Sequence, residues 1–177
     1  MPTVFTHAVV PLAIGIALGP RAIDRRLLLA GAVAAVLPDA DVVAFKLGIA
    51  YADDFGHRGA SHSLVFAVTL GLLAACFHGA LRSAPWKAAL WCFACALSHP
   101  LLDALTNGGL GVALWWPWSD ARLFAPWRPI AVSPIGAGFF SARGLAVIAS
   151  EIRWVWLPCA FLAMTILALR RAVSSRP

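Results

Sequence analysis

Residues 86–105 read WKAALWCFACALSHPLLDAL, an apolar run that carries a histidine and an aspartate near its end. A helix needs about 20 predominantly apolar residues to cross the hydrocarbon core of a bilayer, so the run predicts a transmembrane helix. His99 and Asp103 are separated by one helical turn, which places both side chains on the same helix face. Such side chains are costly next to lipid. Their presence therefore indicates a functional site.

The rest of the chain has the same apolar character. Of its 177 residues, 61% are hydrophobic and 12% are charged, whereas soluble domains average about 45–50% and 25%. This composition predicts an integral membrane protein, and residues 1–177 form a single domain because no linker or repeat divides them. The net charge of +6 does not indicate a nucleic-acid partner, because the basic residues lie at the ends of apolar segments instead of forming one stripe.

Four further apolar segments accompany the run at 86–105. They lie at about Val4–Leu18, Leu27–Leu37, Ser61–Leu81 and Leu145–Leu169. The first two are short and predict a helical hairpin, whereas the other two are long enough to span a bilayer unaided. A stretch rich in Trp, Pro and Gly between Gly108 and Arg143 predicts an interfacial aromatic belt or a re-entrant cap. The expected fold is all-α, a polytopic transmembrane bundle of about five helices.

Threading these segments back and forth brings the scattered polar side chains to one end of the bundle, called end A here. At 1.5 Å per residue, His7, Asp39 and His99 lie roughly 18–20 Å from the opposite end, end B. His62 follows Ser61, a predicted helix N-cap, and is expected to lie higher than the others unless its helix tilts or starts late. The side chains expected to converge below the membrane surface are His7, Asp39, His62, His99 and Asp103.

Each of these residues alone has a simpler explanation, such as a hydrogen-bonded His–Asp contact or a helix-ending turn after Pro38. Together they would require separate explanations for buried polarity that costs several kcal/mol per unsatisfied group. One metal site explains all of them. Oxygen and imidazole ligands without thiolate favour zinc, manganese or iron over copper(I), and five ligands allow one or two ions. A divalent cation, first of all zinc, is the expected cofactor.

Neighbouring polar residues suggest catalytic roles. Asp39 or Asp41 is expected to act as general base, and His57 to act as acid or base or to support a ligand. Arg58 is expected to hold a phosphate bidentately. The roles of Glu151 and Arg153 are not assigned from the sequence.

These motifs resemble the family of small inner-membrane proteins described as LexA-binding, metal-dependent hydrolases. The matching elements, in chain order, are Thr6-His7, Pro38-Asp39-Ala40-Asp41, His57–Ser63, Ser98–Asp103 with Thr106 and Gly109, and Trp116-Pro117. The resemblance implies a hydrolase of the bacterial inner membrane.

The order of the ligands is also similar to that of zinc-dependent phospholipase C. This similarity implies one metal site formed by Asp39, His62, His99 and Asp103. It also implies a second site to which His7 and Asp103 contribute.

Charge asymmetry predicts the orientation of the chain. End B collects the basic residues Arg21, Arg25, Arg26, Arg82, Lys87, Arg170, Arg171 and Arg176, opposed only by Asp24. By the positive-inside rule, end B is cytoplasmic. The expected location is therefore multi-pass in the inner membrane, with the site opening towards the periplasm.

The leading hypothesis is a membrane-embedded hydrolase that cleaves a phosphoester of a lipid or of a membrane-associated phosphorylated substrate with metal-activated water. Two alternatives stay open. One is a non-enzymatic scaffold or regulator that binds a cytoplasmic protein partner, and the other is a transporter or proton relay that uses the same polar side chains.

Overall fold

The first two helices form the predicted hairpin. The computed structural model describes residues 1–134 and 136–174, so Arg176 of end B lies outside the described residues. Helix α1 spans Val4–Leu18 and α2 spans Arg25–Val36. Gly19 turns the chain with a φ of 79°, which a residue without a Cβ adopts at little cost. The Asp24 carboxylate accepts a hydrogen bond from the Arg26 amide and caps α2.

The second helical stretch is longer than predicted. A 3₁₀ segment, Leu37–Val42, continues α2 and leads into the short helix α3, Val43–Lys46. The stretch Arg25–Lys46 therefore covers 22 residues, whereas the sequence predicted an end at Leu37. Pro38 lies in the first turn of the 3₁₀ segment, where its missing N–H leaves no hydrogen bond unmade.

The third stretch is shorter than predicted. Helix α4 spans only Leu64–Cys76, 13 residues, because turns occupy residues 77–83. It also starts later, since Ser63, and not Ser61, accepts the capping hydrogen bond from the Phe66 amide. The expectation that this segment is long enough to span a bilayer unaided is therefore wrong. Helix α5 spans Pro85–Ala104, 20 residues, close to the predicted run.

The last stretch consists of α6, Ala142–Glu151, a π-helical segment, Ile152–Trp156, and α7, Leu157–Ser174. By length and composition, Arg25–Lys46 and Ala142–Val173 can each cross a membrane. The described residues thus confirm the all-helical prediction, with five helical stretches and no strand. Crossing of the membrane by all five stretches stays a prediction.

Packing of these helices defines two ends. Helix α5 packs against α2 and α4, and α1 packs against α2 and α7. The core contains Leu27, Ala35, Ala88, Cys92 and Cys95. At end B, the Arg26 guanidinium donates to the Ala80 carbonyl at 3.1 Å, so the two basic turns lie side by side.

Two long loops, residues 47–63 and, among the described residues, 105–134 and 136–141, cover end A. They are joined by a hydrogen bond from the Ala113 amide to the Arg58 carbonyl at 3.0 Å, and the Leu64 amide donates to the Leu114 carbonyl at 2.9 Å. Trp118 and Trp127 project from the second loop with 75% and 59% of their surface exposed. The Trp-rich stretch therefore lies over end A with these two indoles exposed, and its role as an interfacial belt or a re-entrant cap stays a prediction.

Candidate metal centre

The five predicted ligands lie together beneath the loops at end A. His7 lies on α1, Asp39 on the 3₁₀ segment after α2, and His62 on a short 3₁₀ turn, Ala60–His62. His99 and Asp103 lie on α5, one turn apart. The His7, His62, His99 and Asp103 side chains have no exposed surface, and Asp39 is 5% exposed. Four different segments thus contribute to one buried cluster.

Four of these residues have the spacing of a single coordination site. One ligand atom from each of Asp39, His62, His99 and Asp103 lies within 4.8 Å of all the others. His99 Nε2 is 3.3 Å from Asp39 Oδ1, and His62 Nε2 is 3.4 Å from Asp103 Oδ2. In a tetrahedral zinc site with bonds of about 2.0 Å, ligand atoms are about 3.3 Å apart. The cluster can therefore hold a metal ion.

The hydrogen bonds of the two facing imidazoles show which nitrogens are available. His99 Nδ1 lies 2.7 Å from the Ala35 carbonyl, which only accepts, so this nitrogen carries the proton. His62 Nδ1 lies 3.1 Å from Asp41 Oδ2. In the neutral rings each Nε2 therefore presents a lone pair, and these atoms are 3.0 Å apart. Two facing lone pairs repel each other unless a metal ion or a shared proton lies between them.

His7 extends the cluster beyond these four ligands. Its ring stacks on that of His99 with centroids 3.6 Å apart. Its Nε2 is 3.5 Å from Asp103 Oδ1 and 3.9 Å from Asp39 Oδ2. Neither ring nitrogen of His7 has a hydrogen-bond partner among the described residues. This position allows His7 to complete the first site or to contribute to a second ion beside Asp103.

The charges of the centre also fit a divalent cation. Asp103 Oδ2 is ion-paired with Arg58 Nε at 2.9 Å, whereas both Asp39 oxygens and Asp103 Oδ1 are buried without a hydrogen-bond partner in the described part of the chain. The side chains of the centre include three carboxylates, those of Asp39, Asp41 and Asp103, and one guanidinium, that of Arg58. With neutral imidazoles, three negative charges less one positive charge leave two. Uncompensated buried charge costs several kcal/mol per ion, and a bound divalent cation would neutralise it.

Asp41 lies behind the ligands, where it orients them. Its Oδ2 accepts hydrogen bonds from the Arg58 amide at 3.0 Å and the Ser61 hydroxyl at 2.7 Å, and it also faces His62 Nδ1. Its Oδ1 is 2.6 Å from His57 Nδ1. A carboxylate that contacts the second ring nitrogen of a metal-binding histidine fixes the orientation of its imidazole. Asp41 makes this contact with His62. Asp41 and His57, both predicted to be catalytic, therefore lie outside the four-ligand cluster, with Asp41 between His57 and His62.

Arg58 differs from the predicted phosphate partner in its contacts. Its side chain is fully buried. Nε pairs with Asp103 Oδ2 at 2.9 Å, and Nη2 donates to Thr106 Oγ1 at 2.9 Å. Nη1 donates to the carbonyls of Gly108 and Leu110 at 3.2 and 2.7 Å. The guanidinium thus orients Asp103 and ties the two loops together, which favours a positioning role over direct contact with a phosphate.

His62 lies at the level of the other ligands, not higher as expected from the sequence. The reason is local, because the chain makes a 3₁₀ turn over Ala60–His62 before α4 begins at Leu64. This turn carries the His62 ring down towards His99. It also directs Ser61, predicted as an N-cap, into the site, where its hydroxyl bonds Asp41.

Glu151 lies far along the sequence from α1 but supports the centre through contacts with the start of that helix. Its buried carboxylate accepts hydrogen bonds at 2.6 Å from the hydroxyls of Thr3 and Thr6, and also accepts from the Thr3 amide. Trp156 Nε1 donates to Thr6 Oγ1 at 2.7 Å. The start of α1, and with it His7, is therefore anchored to α6 and the π-helical segment. A lone glutamate in an apolar stretch was the only sequence signal for this role.

Comparisons with known proteins identify relatives. The profile of the family described as YdjM inner membrane protein matches residues 1–174. The chain is also 52% identical over 161 residues to the inner membrane protein YbcI of Escherichia coli (strain K12), covering 89% of this chain and 92% of the relative. No solved structure matches.

Proposed function

The chain belongs to the YdjM inner membrane protein family, and we propose that it is a metal-dependent hydrolase that cleaves a phosphoester of a lipid or of a membrane-associated substrate. The observation that carries this proposal is the buried cluster Asp39–His62–His99–Asp103, with ligand atoms within 4.8 Å of one another. Both oxygens of Asp39 and the Oδ1 atom of Asp103 lack hydrogen-bond partners among the described residues. A centre of this kind is more costly without a cation than with one.

Zinc is the proposed metal, with manganese or iron as the other ions that suit imidazole and carboxylate ligands. A divalent ion held there would polarise a phosphoryl oxygen and lower the pKa of water, which makes water a nucleophile near neutral pH. In the hydrolysis, water adds to phosphorus and the bond to the leaving oxygen breaks. The proton released from water passes first to Asp39 and from there to the leaving oxygen or to solvent.

The residues of the centre have different proposed tasks. Asp39 is the ligand that lines cavities reaching the centre, so it is the proposed base that receives a proton from the attacking water. Asp41 with His57 holds the imidazole of His62, and Arg58 holds the carboxylate of Asp103. These contacts fix the ligand geometry, on which the rate of a positioned reaction depends.

The proposed arrangement is multi-pass, with the centre opening towards the periplasm. The centre lies at end A, whereas the Arg26 turn and the Ala80 turn lie together at end B. Basic residues concentrate at end B, which by the positive-inside rule favours a cytoplasmic location for it. Fusion of a periplasm-active reporter after α7 and within the loop of residues 47–63 tests this orientation. Activity of the fusion after α7 alone would contradict it.

The hydrolase is tested with purified protein in detergent, loaded in turn with Zn²⁺, Mn²⁺ and Fe²⁺. The substrates are p-nitrophenyl phosphate and bis(p-nitrophenyl) phosphate, together with phosphatidic acid and phosphatidylglycerol in mixed micelles. We expect metal-dependent turnover that Asp103→Asn reduces by at least about a hundredfold. Asp120→Asn, at an exposed position, is the matched control. Failure of all metal-loaded forms to cleave any phosphoester, or full activity of Asp103→Asn, would contradict the proposal.

A metal-stabilised scaffold is the second candidate. The observation in its favour is the complete burial of His7, His62, His99 and Asp103, because structural metal sites are closed whereas catalytic sites keep a position for water or substrate. The same assays separate the two candidates. A scaffold would bind metal in stoichiometric amounts and lose it in Asp103→Asn, yet hydrolyse none of the phosphoesters.

A further inference from the structure

A groove between α1 and α2 leads to the candidate metal centre. It has a volume of about 520 Å³ and is lined along α2 by Leu29, Ala32, Val33 and Val36 and on the α1 side by Ala8. Its end at the centre is formed by Asp39, a candidate ligand. Among the described residues that line the groove, this aspartate is the only charged one. The groove is thus apolar along its length and ends at the site of the proposed reaction.

The groove has the length and exposure that a hydrocarbon chain requires. From Leu29 to Asp39 it follows a helical path of about 15 Å, at 1.5 Å per residue. Leu29 and Val33 are 63% and 62% exposed, so the groove is open along its outer side. In an inner membrane protein, an apolar outer surface of this kind faces lipid. A lipid hydrocarbon chain can therefore enter the groove sideways from the bilayer.

A second cavity meets the same ligand from the loop side. It has a volume of about 300 Å³ and is lined by Thr3, Ser133 and Pro134 as well as Asp39. The other residues that line it include Val4, Phe5 and Val42, so this cavity is also mostly apolar. Asp39 is thus the charged group at which two mostly apolar cavities meet.

A larger apolar cavity, of about 560 Å³, suits a lipid hydrocarbon chain less well than the α1–α2 groove. It lies between the 3₁₀ segment after α2 and α4, and its polar lining comes from Asp41, Ser61 and Thr69. The Asp41 carboxylate is already bonded to Ser61 and His57, and no candidate ligand of the four-residue cluster lines this cavity. Size alone would favour it, but proximity to the ligands favours the α1–α2 groove.

We infer that the substrate is a lipid phosphoester whose hydrocarbon chain lies in the α1–α2 groove, with its phosphate beside Asp39. The inference rests on the proposed function, since it names the substrate class of that site. Metal coordination supports it: a divalent cation held at the centre would bind a phosphate oxygen, whereas the apolar groove excludes charged groups other than at its end.

The test fills each cavity separately and compares chain lengths. Ala32→Trp places an indole in the α1–α2 groove, Thr69→Trp does the same in the larger cavity, and Ala168→Trp adds one on the exposed surface of α7. For each protein, kcat/KM is measured with dipalmitoyl and dibutyryl phosphatidic acid and with p-nitrophenyl phosphate. The ratio of the long-chain to the short-chain value is independent of the fraction of active protein.

We expect Ala32→Trp to lower this ratio by at least about tenfold, since loss of two buried methylene groups already has that effect. Thr69→Trp and Ala168→Trp should leave it unchanged. If Ala32→Trp is inactive on all three substrates, the smaller changes Ala32→Leu and Ala8→Leu are measured, and each should lower the ratio.

Three results would overturn the inference. They are an unchanged ratio in every variant of the α1–α2 groove, a fall of the ratio in Thr69→Trp instead, and a wild-type enzyme that cleaves p-nitrophenyl phosphate but no long-chain lipid. In each case the hydrolase itself stands. If metal-loaded wild-type protein cleaves no phosphoester at all, the proposed function fails, and the inference fails with it.

Discussion

The Nε2 atoms of His62 and His99 face each other at 3.0 Å, while the opposite nitrogen of each ring lies against an oxygen acceptor. His99 Nδ1 donates to a backbone carbonyl, and His62 Nδ1 faces the Asp41 carboxylate. Both rings are thereby held with a lone pair directed at the same small volume, into which Asp39 and Asp103 also point an oxygen. This pair of histidines is the geometric centre of the proposed metal site.

Metal removal should lower the stability of the fold. A ligand present at about 100 times its dissociation constant stabilises a protein by about 2.7 kcal/mol, which for a chain of this size shifts Tm by about 5–10 °C. Chelation should therefore lower the Tm measured in detergent by that amount, and added Zn²⁺ should restore it. An identical Tm before and after chelation, with the loss of metal verified by elemental analysis, would speak against a site within the fold.

Asp41→Asn should weaken metal binding without abolishing it. Asp41 is not a ligand of the Asp39–His62–His99–Asp103 site but orients His62, and loss of such a supporting carboxylate typically costs about 10- to 100-fold in metal affinity. Titration with a competing chelator measures the change. Asp24→Asn, which retains a capping residue at the start of α2, should bind metal like the wild type. If Asp41→Asn matched the Asp24→Asn control, Asp41 would have no part in holding the ligand.

Arg58→Lys distinguishes a positioning arginine from one that binds substrate. The shorter ammonium cannot pair with Asp103 and also reach the carbonyls of Gly108 and Leu110. Metal affinity and Tm should both fall, and added metal should partly restore kcat. Arg122→Lys is the control, because Arg122 also binds loop carbonyls but not the ligands. A raised KM with unchanged metal affinity and Tm would instead assign Arg58 to the phosphate.

Glu151→Gln should destabilise the anchor of α1. The carboxylate accepts three hydrogen bonds, and a carboxamide replaces one acceptor oxygen with a donor that faces donors. The expected cost is about 1–3 kcal/mol in the free energy of unfolding, measured by denaturant titration in detergent. Asp120→Asn at the exposed loop position should change it by less than about 0.5 kcal/mol. Equal stabilities of the two variants would show that Glu151 does not anchor α1.

The ligand positions on helices could be predicted from the sequence for simple geometric reasons. His99 and Asp103 are one turn apart on α5. The alternation of helix direction brings the 3₁₀ segment after α2, which carries Asp39, to the same level. Helix periodicity and short turns suffice for such an inference.

The loops and long-range contacts could not be predicted in the same way. Arg58 adopts a φ of 64°, uncommon for a residue with a Cβ, and its direction depends on carbonyls about fifty positions further along the chain. The sequence predicted the start of α4 too early because Ser61 and Ser63 are both suitable caps. Only the bond between Ser61 and Asp41 decides between them. Glu151 acts on Thr3 across nearly the whole sequence.

The metal content of the purified protein decides whether the clustered side chains form a metal centre. Wild type, His62→Ala, His99→Ala and the control His78→Ala, which alters an exposed histidine at end B, are purified without chelator, incubated with Zn²⁺, desalted and analysed by mass spectrometry of the elements. We predict one or two ions per chain in the wild type and in His78→Ala, and a loss of at least one ion in each of the other variants. Wild-type protein that retains no ion, or His62→Ala and His99→Ala proteins that retain as much as the wild type, would contradict the metal centre.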